Sequence, residues 1–339
     1  MRRGTSSVGH RMLTVTIIAV IAAISGVMGG CGGTTPDAGT ASDDPPVIVC
    51  TIGMIADIAR EVAGDRAEVI SLMGADIDPH LYKPTRTDMR RLQQADIIFY
   101  NGLHLEGRMT STLDDASAAG RTVIAVTERL DPSTLLDSDD ASKTHDPHVW
   151  MDPRAWMRAV RIVTDTLKAH DPSGAAAYDD RSAAYLEELE ALDAYAARVL
   201  ATVPEDRRVL VTAHDAFGYF GQRYDYEVVG VQGISTESEA GVLDIERLVD
   251  LLVTRGISAV FVESTVSNRN VNALISGARA RDHAVVNGGT LFSDAMGPAG
   301  SYEGTYIGMI DHNVTTITRA LGGDAPEGGM QGRLGQRDS

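Results

Sequence analysis

The 339-residue chain has only two cysteines, Cys31 and Cys50, too few for a disulfide framework. It is also poor in cations: 30 Lys and Arg stand against 47 Asp and Glu, a formal net charge of -17. Removing the +3 of Arg2, Arg3 and Arg11 leaves about -20 for the chain from Cys31 onwards. Phosphate backbones are bound by clustered cations, so nucleic acid is excluded as a partner. Signatures of hydrolytic catalysis are missing too, with neither an HExxH helix nor a Gly-x-Ser-x-Gly elbow. There is no histidine-rich run either, and the acidic stretch 130–146 has His145 as its only histidine.

What is present centres on Asp146-Pro147-His148-Val149-Trp150-Met151-Asp152-Pro153. Proline fixes its own φ and pushes the residue before it towards extended geometry, so His148 rides on a stiff backbone. A stiff, acid-flanked imidazole suits a metal ligand, because metals reward side chains already in place. The same tripeptide recurs as Asp78-Pro79-His80, in a chain with nine histidines. A single loop histidine is more often merely structural or solvated, and it is the repetition that points to a site.

The first 30 residues read as an export signal: Arg2, Arg3 and Arg11 precede an almost wholly apolar run from Met12 to Met28. Gly29, Gly30 and Cys31 follow, resembling a bacterial lipobox in which Cys31 is lipidated after cleavage, with Met28 where leucine is usual. An uncleaved membrane-spanning anchor is the alternative, since the run approaches the ~20 residues needed to cross a bilayer. Residues 31–46 lack any apolar side chain larger than alanine until the strand begins, the composition of a flexible tether. Cys50, in Val47-Ile48-Val49-Cys50, then has no partner and reads as a small buried hydrophobe.

From Val47 short β-rich runs alternate with helical ones, which implies α/β layers with parallel-type sheets. Strands are expected at 47–52, 67–73, 97–100 and 122–126, with helices at 55–62, 87–94, 103–118 and 153–169. Ser173–Val203 has no proline and, after Gly174, no glycine. Its Tyr178, Tyr185, Leu192 and Val199 recur every seven residues, predicting one helix of roughly 40 Å at 1.5 Å per residue. Two helices with a hidden break are the alternative. The alternation restarts after Pro204, with strands at 208–212, 227–231, 259–263 and 284–287, and helices at 215–224, 244–254, 268–280 and 306–321. The expected organisation is a lobe over 47–172, a linking helix over 173–203, a second lobe over 204–322 and a disordered tail over 323–339.

Ligands in open α/β sheets sit beyond the carboxyl ends of the strands. His80 and His148 fall in such loops. So do His214, in Thr212-Ala213-His214-Asp215, and Asp294, in Leu291-Phe292-Ser293-Asp294. Asp215 reads as the N-cap of the next helix, and a capping role for His214 and a solvated turn at Asp294 are the plainer alternatives. Four candidates, two in each half, converge on a cleft between the lobes.

The segments DIDPHLYKPT, DPHVWMDP, TAHDAFGYF, GISTESEA and LFSDAMG, in this order, resemble the zinc/manganese-binding solute receptors of ABC importers, the cluster 9 (A-I) family. The likeness extends from about Val47 to Leu321. It implies two α/β lobes joined by one long rigid helix, with metal held between them by His80, His148, His214 and Asp294. It also implies a monomeric lipoprotein at the extracytoplasmic face of the cell membrane that delivers Mn2+ or Zn2+ to a permease and its ATPase. His104 stands in NGLHLEG where asparagine is more usual, and is expected at the surface or behind the ligands. Manganese-restricted members often have glutamate at the position of His214. Three imidazoles suit zinc, while Asp294 binding through both oxygens would admit manganese. Glu263, in Phe261-Val262-Glu263-Ser264, is placed to orient a ligand imidazole, or is an ordinary buried carboxylate. Other functions open to such a site are a zinc hydrolase with Asp294 as base, which would keep a ligand position open for water, and a surface adhesin whose metal only stabilises the lobes.

Overall fold

A computed structural model describes residues 45–138 and 145–335. The segments expected to be an export signal and a tether, with Cys31, lie outside them up to residue 44. Among the described residues no helix is long and apolar enough to cross a membrane.

The first half is a four-stranded parallel sheet in the order β2-β1-β3-β4, built from β1 (Val47–Cys50), β2 (Glu68–Ser71), β3 (Ile97–Tyr100) and β4 (Thr122–Ala125). Helices α1 (Gly53–Ala63), α2 (Arg86–Gln94) and α3 (Thr110–Ala118) connect the strands. Cys50 is fully buried with a free thiol, and burial pushes that thiol up to about 12. It behaves as a hydrophobe, as its sequence context predicts.

The second half repeats the plan. Strand β5 (Val209–His214) pairs in parallel with β6 (Glu227–Gln232), β7 (Ala259–Glu263) pairs with β8 (Val286–Leu291), and β5 lies beside β7. Every residue of β5 and of β7 is buried, as expected for central strands covered on both faces. The surrounding helices are α6 (Gly218–Tyr224), α7 (Val242–Arg255), α8 (Arg269–Arg279) and α9 (Tyr306–Ala320).

Helix α4 (Pro153–His170) starts as expected, with Pro153 at its first position and the Asp152 side chain accepting from the Arg154 amide. A single turn over Pro172–Gly174 leads into α5 (Ala175–Leu200), which is continuous over 26 residues. The seven-residue repeat is its buried face: Tyr178, Tyr185, Leu192 and Val199 are all buried. That face packs on α1, α4 and α9, so one apolar core runs from the first sheet through α5 to α9. Polar links cross it as well. Asp57 on α1 accepts from Tyr185 Oη at 3.0 Å and from the Tyr306 amide at 3.1 Å.

Strand β8 lies later than expected, at Val286–Leu291 rather than 284–287, and three further segments differ from the sequence expectation. Residues 103–109 are not α-helical: Leu103 and His104 take φ of 52° and 63°. Glu128 draws the Leu103 amide out of line at 3.1 Å, while Glu106 accepts from the amides of Asn101 and Gly102 at 2.7 and 3.1 Å. Helix α6 begins at Gly218 after Phe217, so Asp215 is not its cap. Residues 323–335, expected to be disordered, instead pack on α9. The Met330 amide donates to both oxygens of the buried Asp311, at 2.9 and 2.8 Å, and Arg333 lies 4.6 Å over the Tyr302 ring. Gly329 makes that approach possible, since at its φ of 72° a Cβ would fall 2.5 Å from Asp311.

Candidate metal centre

The two halves deliver their candidate residues to one point. In the second half the buried strands β5 and β7 lie side by side, and ligands in α/β folds sit beyond the carboxyl ends of such strands. His214 is the last residue of β5 and Glu263 the last of β7. His214 therefore ends a strand rather than following it. His80 and His148 come from loops of the first half, and Asp294 follows β8 by three residues.

The four side chains meet. His80 Nε2 and His148 Nε2 are 3.4 Å apart. Asp294 Oδ1 is 3.3 Å from His148 Nε2, and Oδ2 is 3.6 Å from His80 Nε2 and 3.2 Å from His214 Nε2. One donor atom from each residue lies within 4.8 Å of every other. A tetrahedron of ligands about ~2.05 Å from a central ion has edges of ~3.3 Å, so this spacing fits one ion. All four residues are buried. His214 Nε2 and both Asp294 oxygens have no hydrogen-bond partner among the described residues. Burial without a partner costs a carboxylate several kcal/mol, and a cation between these atoms would remove that cost.

The surrounding polar groups hold the rings from behind. Asp146 Oδ1 lies 2.7 Å from His148 Nδ1 and accepts from the His148 amide at 2.9 Å. Glu263 does the same for His214, with Oε2 2.5 Å from Nδ1 and Oε1 2.9 Å from the amide. Each carboxylate fixes the tautomer that leaves Nε2 as the donor towards the centre. Asp78 Oδ1 accepts from the His80 amide at 2.8 Å. The two Asp-Pro-His tripeptides are thus the same turn, in which an aspartate captures the amide two residues on. The sequence points to Glu263 but not to Asp146 behind the His148 ring or to Asp78 on the His80 amide, although the repeated tripeptide carried the signal. It also missed Trp150, whose ring lies 5.3 Å from that of His148.

The electrostatics follow from this crowding. Burial alone would push the His148 imidazole down, but Asp146 and Asp294 outweigh it and raise it to about 9. Burial likewise opposes the charged form of His214, yet Glu263 and Asp294 lift it well above the usual range. The Asp294 carboxyl is raised by burial and lowered more strongly by His214 and His148, ending well below the usual carboxylate range.

His104 is not part of the cluster. It is exposed and lines, with His80, Arg108 and Glu237, a mouth of about 260 Å3.

Residues 48–320 match the model of the family described as zinc-uptake complex component A, periplasmic. The chain is 44% identical over 292 residues to the manganese-binding lipoprotein MntA of Bacillus subtilis, covering 86% of this chain and 94% of that protein. It is 45% identical over 281 residues to the zinc-binding protein TroA of Treponema pallidum, covering 83% and 90%. The solved structure of TroA superposes with a TM-score of 0.80, over 82% of this chain and 99% of TroA. The metal ABC transporter substrate-binding lipoprotein FimA of Streptococcus parasanguinis is 31% identical over 279 residues, covering 81% and 88%. The chain belongs to the zinc-uptake complex component A family.

Proposed function

We propose that this protein is the substrate-binding receptor of a metal ABC importer, in which His80, His148, His214 and Asp294 enclose one divalent transition-metal ion between the lobes 47–172 and 204–322. The observation that carries the reading is the convergence of four buried donors within 4.8 Å of one another, with four pair distances of 3.2–3.6 Å and several atoms without any other partner. Capture is favoured over catalysis because the donor side chains are at most 1% exposed, whereas a hydrolytic metal keeps a position open to water. The protein is therefore not an enzyme in this reading.

Manganese and zinc are both accepted. Three imidazoles favour zinc, and the divalent series favours it further. Asp294 presents Oδ1 to one histidine and Oδ2 to two others, an orientation in which both oxygens can serve an ion of higher coordination number. The relatives do not decide between the metals, since MntA is named for manganese and TroA for zinc.

Cys31 carries the lipid that holds the receptor, as a monomer, at the extracytoplasmic face of the cell membrane, where it hands the ion to a permease driven by an ATPase. The linking segment 173–203 keeps lobe motion small, because α5 is buried against helices of both halves. Metal analysis of protein purified without added ions, with zinc–manganese competition, tests the reading. One equivalent of either metal per chain supports it. Metal-free protein that cannot be loaded with zinc or manganese rejects it.

A further inference from the structure

The segment 233–241, between β6 and α7, ties the second half to the residues that flank His80. Thr236 Oγ1 donates to Asp78 Oδ2 at 2.6 Å, and the other oxygen of Asp78 holds the His80 amide. Glu237 accepts from Arg108 Nε at 3.1 Å, and Arg108 Nη1 in turn donates to the Leu81 carbonyl at 3.4 Å. One short stretch thus braces His80 from both sides along the chain. His80 is also the ligand candidate that lines the mouth described above, together with Ser235 and Glu237.

Behind this stretch lies empty space. A groove of about 930 Å3 is bounded by the segment itself, Gln232, Arg247, Leu248 and Leu251. Gln232 is 6% exposed, and its Oε1 has no hydrogen-bond partner among the described residues. A buried acceptor of this kind favours whatever donor can reach it. Residues 234–240 belong to no strand or helix, and the regular structure there is limited to one turn at Thr236-Glu237. The far end is held by the Asn270 side chain, donating to Glu239 at 3.0 Å, and by Gln232 Nε2, donating to the Ser238 carbonyl at 3.4 Å.

We propose that residues 233–241 form a retractable latch: with Thr236 and Glu237 engaged they position His80, and on withdrawal into the groove behind they free it, so that the latch sets the rate at which the ion leaves. This rests on the ion-capture reading above. Thr236 and Glu237 are positioning residues, acting through Asp78 and Arg108 rather than touching the ion.

The test is the rate of Mn2+ loss from the loaded full-length protein after mixing with excess chelating dye. Thr236→Val is expected to speed release roughly tenfold by removing the hydroxyl from a nearly buried bond. Arg108→Glu should speed it severalfold, its pair being partly exposed, and the exchanged pair R108E/E237R should restore the slow rate. Leu248→Trp, which fills the groove, should slow release in an otherwise unchanged chain. A merely structural role would not produce the charge-swap rescue or the slowing. Normal Mn2+ uptake with wild-type release rates in T236V and R108E overturns the latch alone. Failure of the unaltered protein to take up Mn2+ or Zn2+ overturns the capture reading beneath it.

Discussion

Trp150 donates its indole Nε1–H to the main-chain carbonyl of Ser293 at 2.8 Å, with both groups buried. The bond joins the loop of His148 to the loop of Asp294 across 143 residues of sequence. The Trp150 carbonyl in turn accepts from Tyr306 Oη at 2.7 Å, on the first turn of α9. The aromatic residue two places after His148 therefore ties together the loops that carry a ligand candidate from each half.

Trp150→Phe should keep the apolar packing but leave the Ser293 carbonyl unsatisfied, a loss of about 1–3 kcal/mol. Calorimetric titration of the folded variant is expected to give weaker binding of Mn2+ and Zn2+, together with a lower melting temperature. Unchanged affinity would show that the bond does not set the spacing.

Removing a donor should be more severe than disturbing its support. His148→Ala is expected to abolish tight binding of both metals while far-UV circular dichroism stays that of the parent. Glu263→Gln keeps an oxygen for the His214 amide but loses the charged partner of Nδ1, and support of this kind is worth ~10–100-fold in metal affinity. Competition against a chelator of known strength measures the loss. Equal losses in the two variants would contradict the distinction drawn between ligand and support.

Asp57 gives a prediction about pH. Burial raises its carboxyl from 3.8 to about 6, against the lowering effect of hydrogen bonds from the Tyr306 amide and the Tyr185 hydroxyl. The folded state therefore binds the proton more tightly than the unfolded state. Stability from this group is fully present below pH 4 and declines as pH rises from about 4 to about 6. The amplitude is on the order of 3 kcal/mol. Denaturant titrations of wild type and Asp57→Asn at several pH values isolate it. The wild type should lose ground to the variant between pH 4 and 6, and parallel profiles would count against the raised carboxyl.

The packed C-terminal stretch can be tested by truncation. Ending the chain after Ala325 removes the Met330 amide from Asp311, leaving the hydroxyls of Tyr302 and Thr315 as its partners. A loss of about 1–3 kcal/mol is expected, read as a lower melting temperature of the metal-free protein. No change would return this stretch to the disordered tail that its glycine content suggests.

Several of these elements are legible without coordinates because their causes are local. β3 and β7 fall at the residues that β-branched and aromatic runs mark out, and α5 follows from a seven-residue apolar repeat uninterrupted by proline or glycine. The helix expected over 103–118 is not legible in that way. Its first residues are drawn away by Glu106 and Glu128, and the distant Glu128 cannot be read as a partner from propensity. Cap assignment failed at Asp215 for a similar reason, because α6 starts three residues later than the local pattern suggests.

The order of residues alone determined the α/β alternation, the connecting helix and the identity of the four donor candidates, since each depends on neighbours a few positions away. Only the tertiary structure decided that those donors lie within 4.8 Å of one another and that Asp146 and Glu263 stand behind two of their rings. It alone placed Thr236 against Asp78, 158 residues away. Contacts of that range form when packed strands and helices bring remote loops together, and no local preference of the chain encodes them.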